Sequence, residues 1–91
     1  MVERVATIRN EQGIHCRPSS VIIKEAITMV GQITVYTKEA SCDCKSIMGL
    51  LSLGLSQGTK VTIQVIGENE EASCEKLVEL FEREFDYPPE G

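Results

Sequence analysis

The strand predicted at 61–65 limits the folds that the chain can adopt. In segment 61–65, valine and isoleucine alternate with Thr62 and Gln64, which is the period-two pattern of a strand with one apolar and one polar face. Strands of a parallel sheet are usually apolar on both faces, because helices cover both. The polar face therefore favours an antiparallel sheet that carries helices on one side only.

The other segments with a clear pattern set the order of the predicted elements. They are a strand over 2–8, a helix over 17–30, strands over 33–36 and 41–44, a short helix over 46–53, the strand over 61–65, and a last helix that begins after Asn69. Glycine or proline stands at most of the boundaries. The order β-α-β-β-α-β-α predicts the α+β class, as an open-faced β-sandwich with a four-stranded antiparallel sheet and three helices on one face.

Apolar residues at helical spacing predict the buried faces of the first and last helices. In the first helix they are Ile22, Ile23, Ala26, Ile27 and Val30. In the last helix they are Cys74, Leu77, Val78, Phe81 and Phe85, and the solvated remainder is Glu75, Glu79, Glu82 and Glu84. The first helix also has an outward stripe, which consists of Arg17, Ser20, Val21 and Lys24.

Length and composition agree with one globular domain over residues 1–91. The 91 residues are 42 % apolar and 25 % charged, which is ordinary for a single folded domain. Residues 86–91 are expected to fray, because the prolines there stop the last helix. No apolar run reaches the roughly 18 residues of a membrane-spanning helix, and residues 1–20 lack the apolar core of a signal peptide. A cytoplasmic protein without membrane insertion is expected.

Charge is unevenly distributed along the chain. Residues 1–67 contain seven Lys or Arg and five Asp or Glu, whereas residues 68–91 contain two and nine. The net charge of −5 argues against a nucleic-acid binder, which needs a basic surface. The neutral to mildly basic remainder of the chain suits a partner or a chemical group that carries negative charge.

The single histidine, His15, lies where the first helix is predicted to begin. A helix N-terminus presents unpaired N–H groups and a partial positive charge, which together bind anions such as phosphate. Pro18 has no N–H and biases the preceding residue away from the helical region. The amides of Cys16 and Arg17 are therefore expected to face a group on His15, and the Arg17 guanidinium can add two parallel hydrogen bonds. The alternative is a solvated histidine beside a surface arginine.

Two segments of the chain resemble the signature motifs of HPr, the histidine-containing phosphocarrier of the bacterial phosphoenolpyruvate-dependent sugar phosphotransferase system. They are Gly13-Ile14-His15-Cys16-Arg17-Pro18 and Lys45-Ser46-Ile47-Met48-Gly49-Leu50-Leu51-Ser52-Leu53-Gly54. The resemblance extends over nearly the whole chain and implies the HPr fold. It also implies that Nδ1 of His15 accepts a phosphoryl group from phosphorylated enzyme I and passes it to the IIA component of a sugar permease. A protein of this family is a carrier and not an enzyme, and it requires no cofactor.

The resemblance further implies a surface on which partners dock. This docking surface consists of Ser20, Val21 and Lys24 from the outward stripe and Ile47, Met48 and Leu51 from the short helix. The alternative is that the three residues of the short helix belong to the core, although Leu50 and Leu53 can fill its inward positions. A small carrier that presents one face to each partner in turn is expected to act as a monomer.

Ser46 begins the short helix and has two interpretations. Serine is a favourable N-cap, which explains the residue without any regulation. The resemblance implies instead that an ATP-dependent kinase, HPr kinase/phosphorylase, phosphorylates Ser46 in some bacteria, and that the added charge weakens docking of enzyme I. A regulatory binding module that acts mainly through Ser46 is therefore the second functional hypothesis.

The four cysteines, at 16, 42, 44 and 74, are the main departures from the family pattern. Without a secretory signal they are expected to be reduced and to form no disulfides. Cys42, Cys44 and Cys74 are interpreted as small buried residues, whereas Cys16 at a helix N-terminus has the setting of a reactive thiol. A thiol or metal sensor is the third hypothesis. No metal site is predicted, because Cys42 and Cys44 lack the two-residue spacing of common zinc sites.

Overall fold

The computed structural model describes residues 1–84 of the chain, apart from the side chain of Cys16. Its seven elements are β1 (Val2–Thr7), α1 (Cys16–Ala26), β2 (Gln32–Tyr36), β3 (Ser41–Asp43), α2 (Ile47–Ser52), β4 (Lys60–Ile66) and α3 (Glu70–Phe81). The predicted element order is confirmed. The roles predicted for Phe85 and for the tail at 86–91 lie outside the described residues. In the part that is described, no helix has the length and apolar character needed to cross a membrane.

The four strands form one antiparallel sheet in the order β1-β4-β2-β3. The strand with the clearest alternation, β4, lies inside the sheet, where Ile63 stands opposite Arg4 of β1 and Val35 of β2. Its residues at 61, 63 and 65 are buried under the helices, whereas Thr62 and Gln64 are only half-buried. The polar face of β4 is thus the open face of the sheet, and the predicted open-faced α+β sandwich is confirmed.

The core fills the space between the sheet and the helices. Its largest fully buried side chains are Phe81, Ile8, Ile22, Ile33, Leu50, Ile63, Leu77 and Leu80. Each such side chain contributes about 1.5–3 kcal/mol of hydrophobic stabilisation when it is removed from water. On α3, the predicted stripe through Cys74, Leu77 and Phe81 is buried, and Ser73 and Leu80 widen it.

The buried face of α1 is shorter than the apolar spacing predicted. Ile27 and Val30, which are predicted to point inward, are each 61 % exposed. The helix ends at Ala26, and the Met29 N–H then donates to the Ala26 carbonyl at 3.0 Å. This bond to the third preceding residue turns the chain more tightly than an α-helix does. Residues that continue the apolar spacing after Ala26 therefore no longer face the core. Met29 packs against the core instead.

Glu82 is a further correction, because it is not a freely solvated residue. Its Oε2 accepts a hydrogen bond from the N–H of Thr7 at 2.9 Å, and its Oε1 lies 3.9 Å from Nη2 of Arg9. The carboxylate therefore joins the end of α3 to the end of β1. The chain continues from this point of β1 into the loop that precedes α1.

Candidate functional site

His15 is the N-cap of α1 and has extended backbone angles, φ −99° and ψ −162°. Its carbonyl accepts a hydrogen bond at the start of the helix, from the N–H of Ser19 at 2.9 Å. Side chains at an N-cap often accept a hydrogen bond from the first turn. Within the described part of the chain, the half-buried imidazole of His15 does not serve as such a cap. The imidazole therefore lies at the helix start but does not cap the helix.

The first turn of α1 places the positive end of the helix beside His15. Cys16 and Arg17 are its first two residues, and helix geometry provides no intrahelical acceptor for their N–H groups. The turn contains no acidic residue, and the Arg17 side chain is exposed. Positive charge therefore collects at this end of the helix, where an anion bound to the imidazole would meet it.

Pro18 does not affect the first turn in the way that the sequence predicted. Pro18 does not keep Arg17 out of the helical region, because α1 begins one residue earlier, at Cys16. Proline is tolerated in the first turn, where its missing N–H would have had no intrahelical acceptor. The expectation for the amides of Cys16 and Arg17 is unaffected, since both residues still precede Ser19, whose N–H makes the first hydrogen bond of the helix.

A buried segment of the loop supports the histidine. Ile14 is buried, and its N–H donates to the Leu55 carbonyl at 2.8 Å. Gly13 has φ +75°, and any side chain there would overlap the Leu55 oxygen, so only glycine fits this position. Sequence reasoning identified Gly13 as a turn residue but missed Leu55. No local pattern indicates that the loop after α2 packs against the loop before α1.

The residues predicted to dock partners lie on α1 and α2, which pack against each other. The predicted outward stripe of α1 is exposed or half-buried. On α2, Met48 is 73 % exposed and Ile47 is 39 % exposed, while Leu51 is half-buried. Leu50 takes the inward position and is fully buried. Met48 and Ile47 are therefore surface residues, and together they form an apolar patch on α2, next to α1.

Polar contacts fix the start of α2. The Oγ of Ser46 accepts a hydrogen bond from the N–H of Gly49 at 3.0 Å, which confirms Ser46 as the N-cap. The Nζ of Lys45 donates to the carbonyls of Met29, at 3.1 Å, and Gly31, at 3.2 Å. Sequence reasoning missed this contact, because it joins segments that are far apart in the chain. Lys45 ties α2 to the segment after α1 and so helps to hold the two helices in one arrangement.

Three of the four cysteines have a thiol pKa above its ordinary value. Cys44 and Cys74 are fully buried, whereas Cys42, expected in the core, is only half-buried. Burial raises the pKa of Cys44 to about 12, and burial also raises the pKa values of Cys42 and Cys74. Over residues 1–84, no group of three His, Cys, Asp or Glu side chains is placed to hold a metal ion. The interpretation of Cys16 as a reactive thiol stays a prediction, because its side chain lies outside the described residues.

The open-faced sandwich and the histidine at a helix N-terminus define a small domain that can hold an anionic group at one point of its surface. Residues 2–83 match the family described as the PTS HPr component phosphorylation site. The chain is 34 % identical over 85 residues to the phosphocarrier protein HPr of Xylella fastidiosa strain Temecula1, a match that covers 93 % of this chain and 96 % of that protein.

Solved structures agree with this match. The crystal structure of HPr from Thermoanaerobacter tengcongensis superposes with a TM-score of 0.84 at 37 % identity, over 89 % of this chain and 91 % of that one. The crystal structure of Crh, a Bacillus subtilis catabolite repression protein with a swapped domain in a dimer, superposes with a TM-score of 0.71 at 33 % identity, over 89 % and 93 %. The chain belongs to the HPr family, the phosphocarriers of the phosphotransferase system, and its partners are components of that system.

Proposed function

We propose that His15 carries the phosphoryl group, which it accepts from phosphorylated enzyme I and donates to IIA components of sugar permeases. The placement of the single imidazole at the N-cap of α1, beside two helix amides and the exposed Arg17, supports this assignment most strongly. Helix N-termini of this kind bind phosphate. The exchange takes place in the cytoplasm and requires no cofactor.

In the proposed transfer, the lone pair of Nδ1 attacks phosphorus while the bond between phosphorus and the donor breaks. The imidazole must be neutral at that moment, with the proton on its other nitrogen. The phosphoryl oxygens then meet the amides of Cys16 and Arg17 and the Arg17 guanidinium. Because this site is open at the surface, it stabilises the group only moderately, which allows the group to leave for the next acceptor. The chain turns over no substrate by itself.

The docking surface is proposed to receive enzyme I and the IIA components in turn. Its apolar part is the apolar patch of Met48 and Ile47 together with the half-buried Leu51. Its polar part is Ser20 and Lys24, with Val21 between them. An exposed apolar patch gains stability when a partner covers it. The basic balance of residues 1–67 favours acidic partner surfaces. One surface that serves several partners in sequence is consistent with a monomer as the working form.

The first experiment measures the intact mass of the protein after incubation with phosphoenolpyruvate, Mg²⁺ and purified enzyme I from the same source. We expect the mass to increase by one phosphoryl group, and we expect acid to remove it, because phosphohistidine is acid-labile. A parallel sample without enzyme I should show no increase. A native chain that gains no phosphoryl group in the complete mixture would contradict the proposed function.

A second candidate function is regulation through Ser46, and two observations favour it. Ser46 is the residue next to the apolar patch and is itself only partly buried, and the chain is similar to Crh, which is described as a catabolite repression protein. We propose HPr kinase/phosphorylase as the partner that modifies Ser46. A phosphate there would place negative charge beside the patch that docks enzyme I.

Ser46→Asp tests this regulation. We expect the affinity for enzyme I to fall about tenfold, equivalent to about 1.4 kcal/mol, because a charge is introduced beside a surface that must be desolvated. Titration calorimetry with enzyme I measures the change. Ser46→Asn is the matched control, since Asn and Asp are both good N-caps and only Asp adds charge. Equal weakening by both variants would show that loss of serine, rather than charge, is responsible.

A further inference from the structure

We propose that Asn10 is a positioning residue for His15. Its buried side-chain amide fixes the turn of residues 10–13, which lies just before the histidine in the chain. The inference rests on the proposed function, because it assigns Asn10 a role in the phosphoryl transfer by His15. Asn10 lies five residues before the histidine. It is fully buried although it is polar, and buried polar side chains need defined hydrogen-bond partners.

The turn of residues 10–13 is closed twice by the same pair of residues. The N–H of Gly13 donates to the Asn10 carbonyl at 2.9 Å, which is the usual bond of a β-turn. In the other direction, Nδ2 of Asn10 donates to the Gly13 carbonyl at 2.7 Å, and this bond is buried. The Gly13 carbonyl belongs to the same peptide unit as the N–H of Ile14, which donates to the Leu55 carbonyl. The side-chain bond of Asn10 therefore holds this peptide unit at its carbonyl, while Leu55 holds it at its N–H.

Both ends of the turn are attached to the loop before β4. On one side, the N–H of Gly58 donates to the Ile8 carbonyl at 2.7 Å, and the N–H of Ile8 donates to Thr59 at 2.9 Å. On the other side, the N–H of Ile14 donates to the Leu55 carbonyl. Between these attachments, the Asn10 side chain bonds across the turn to Gly13, while the two residues between them, Glu11 and Gln12, are exposed.

This geometry reaches the proposed phosphoryl acceptor through two peptide units. His15 follows Ile14 directly, and its backbone angles decide where the imidazole stands relative to the amides of Cys16 and Arg17. A change at the Gly13 peptide would displace the ring from these amides. Misplacement of a reacting group by about 1 Å can cost as much as 100-fold in rate. Docking is expected to be unaffected, because the docking surface lies on α1 and α2.

The test compares the steady-state kinetics of phosphoryl transfer from enzyme I to the native chain and to Asn10→Ala. We expect kcat to fall about tenfold or more, while KM stays within about twofold, as for a residue that orients the acceptor without taking part in docking. The matched control is Val65→Ala. It also truncates a buried side chain, but it lies opposite Val2, at the end of β1 that is far from the loop. Both kinetic constants of Val65→Ala should remain close to native values.

A second measurement uses the native protein and does not depend on whether the variant folds. The chain has two asparagines, and NMR can follow the exchange of their side-chain amide protons with solvent. We expect slow exchange at Asn10 and fast exchange at the exposed Asn69, whose side chain does not cap α3. Equally fast exchange at both would overturn the proposal.

The outcomes separate this inference from the proposed function. If the native chain accepts phosphate and folded Asn10→Ala keeps its kcat within twofold, the positioning role is wrong and the proposed function stands. A rise in KM that matches the fall in kcat/KM would also overturn the positioning role, since docking would then be responsible. If the native chain accepts no phosphate, the proposed function and this inference fail together.

Discussion

Replacement of His15 by alanine is expected to abolish formation of the acid-labile phosphoryl adduct. His15 is the only histidine in the chain, and the proposed bond to phosphorus is made by its ring nitrogen. A missing nucleophile removes the covalent step altogether, rather than slowing it. Intact-mass spectrometry after incubation with phosphoenolpyruvate, Mg²⁺ and enzyme I measures the adduct in native and variant chains side by side.

Two comparisons make this result specific to the site. His15→Ala should keep the thermal transition of the native fold within a few degrees, because the imidazole is not the cap of α1. Arg17→Ala keeps the acceptor and removes only a donor to the phosphoryl oxygens. We expect it to form the same adduct about 100-fold more slowly, the cost of losing one group that stabilises developing charge. An acid-labile adduct on His15→Ala would show that another residue is the acceptor.

Gly31→Ala is expected to destabilise the protein by about 3–5 kcal/mol, the sum of a backbone strain and an overlap. Gly31 has φ +107°, which L side chains rarely adopt, and a Cβ there would overlap the carbonyl oxygen of Ile66. The Cα of Gly67, the next residue of the same facing segment, also lies only 3.0 Å from that position, so the Cβ would meet backbone atoms of two successive residues. For a domain of this size, the thermal midpoint should fall by roughly 15–25 °C. Calorimetry or circular dichroism measures it.

Gly54→Ala is the control that separates the strain from the overlap. Gly54 also has a positive φ, +63°, but apart from Gly54 and its two chain neighbours, no atom of residues 1–84 lies within 4 Å of the position that its Cβ would take. We expect a loss of only about 1–2 kcal/mol, which is the cost of the left-handed conformation alone. If both variants lose the same stability, the close approach of the two turns contributes nothing and the interpretation of Gly31 is wrong.

Local patterns predicted most of the fold because their causes are local. The alternation in β4 depends on successive side chains pointing to opposite faces, and it survives in the buried residues at 61, 63 and 65. The stripe on α3 is buried as its spacing predicts. The end of α1 was not predictable in this way. Ile27 and Val30 continue the apolar spacing, but the tighter turn at Met29 changes the rotation of the chain after Ala26.

The candidate site was predictable as far as its residues are neighbours in the sequence. His15, Cys16 and Arg17 are consecutive, so a helix that begins there places the imidazole at its N-terminus, next to its first two amides. Residues that support the site from elsewhere carried no such signal. Lys45 reaches the carbonyl of Gly31, and the Leu55 carbonyl receives the N–H of Ile14. A contact between distant segments is decided by how the elements pack, which no window of the sequence contains.

The sequence by itself determined the class of fold, the order of the elements and the position of the histidine at a helix start, because periodicity, turn residues and capping act over a few residues. Only the tertiary structure decided which polar residues are buried and joined. The sequence predicts an ordinary turn residue at Asn10, but Asn10 is fully buried and its side-chain amide donates to the Gly13 carbonyl. The sequence predicts a solvated acid at Glu82, but the Glu82 carboxylate accepts a hydrogen bond from the N–H of Thr7. The partner of Glu82 comes from a segment far away in the chain. The partner of Asn10 is only three residues away, but the burial of this pair depends on how the turn packs against the rest of the fold, which no window of the sequence contains.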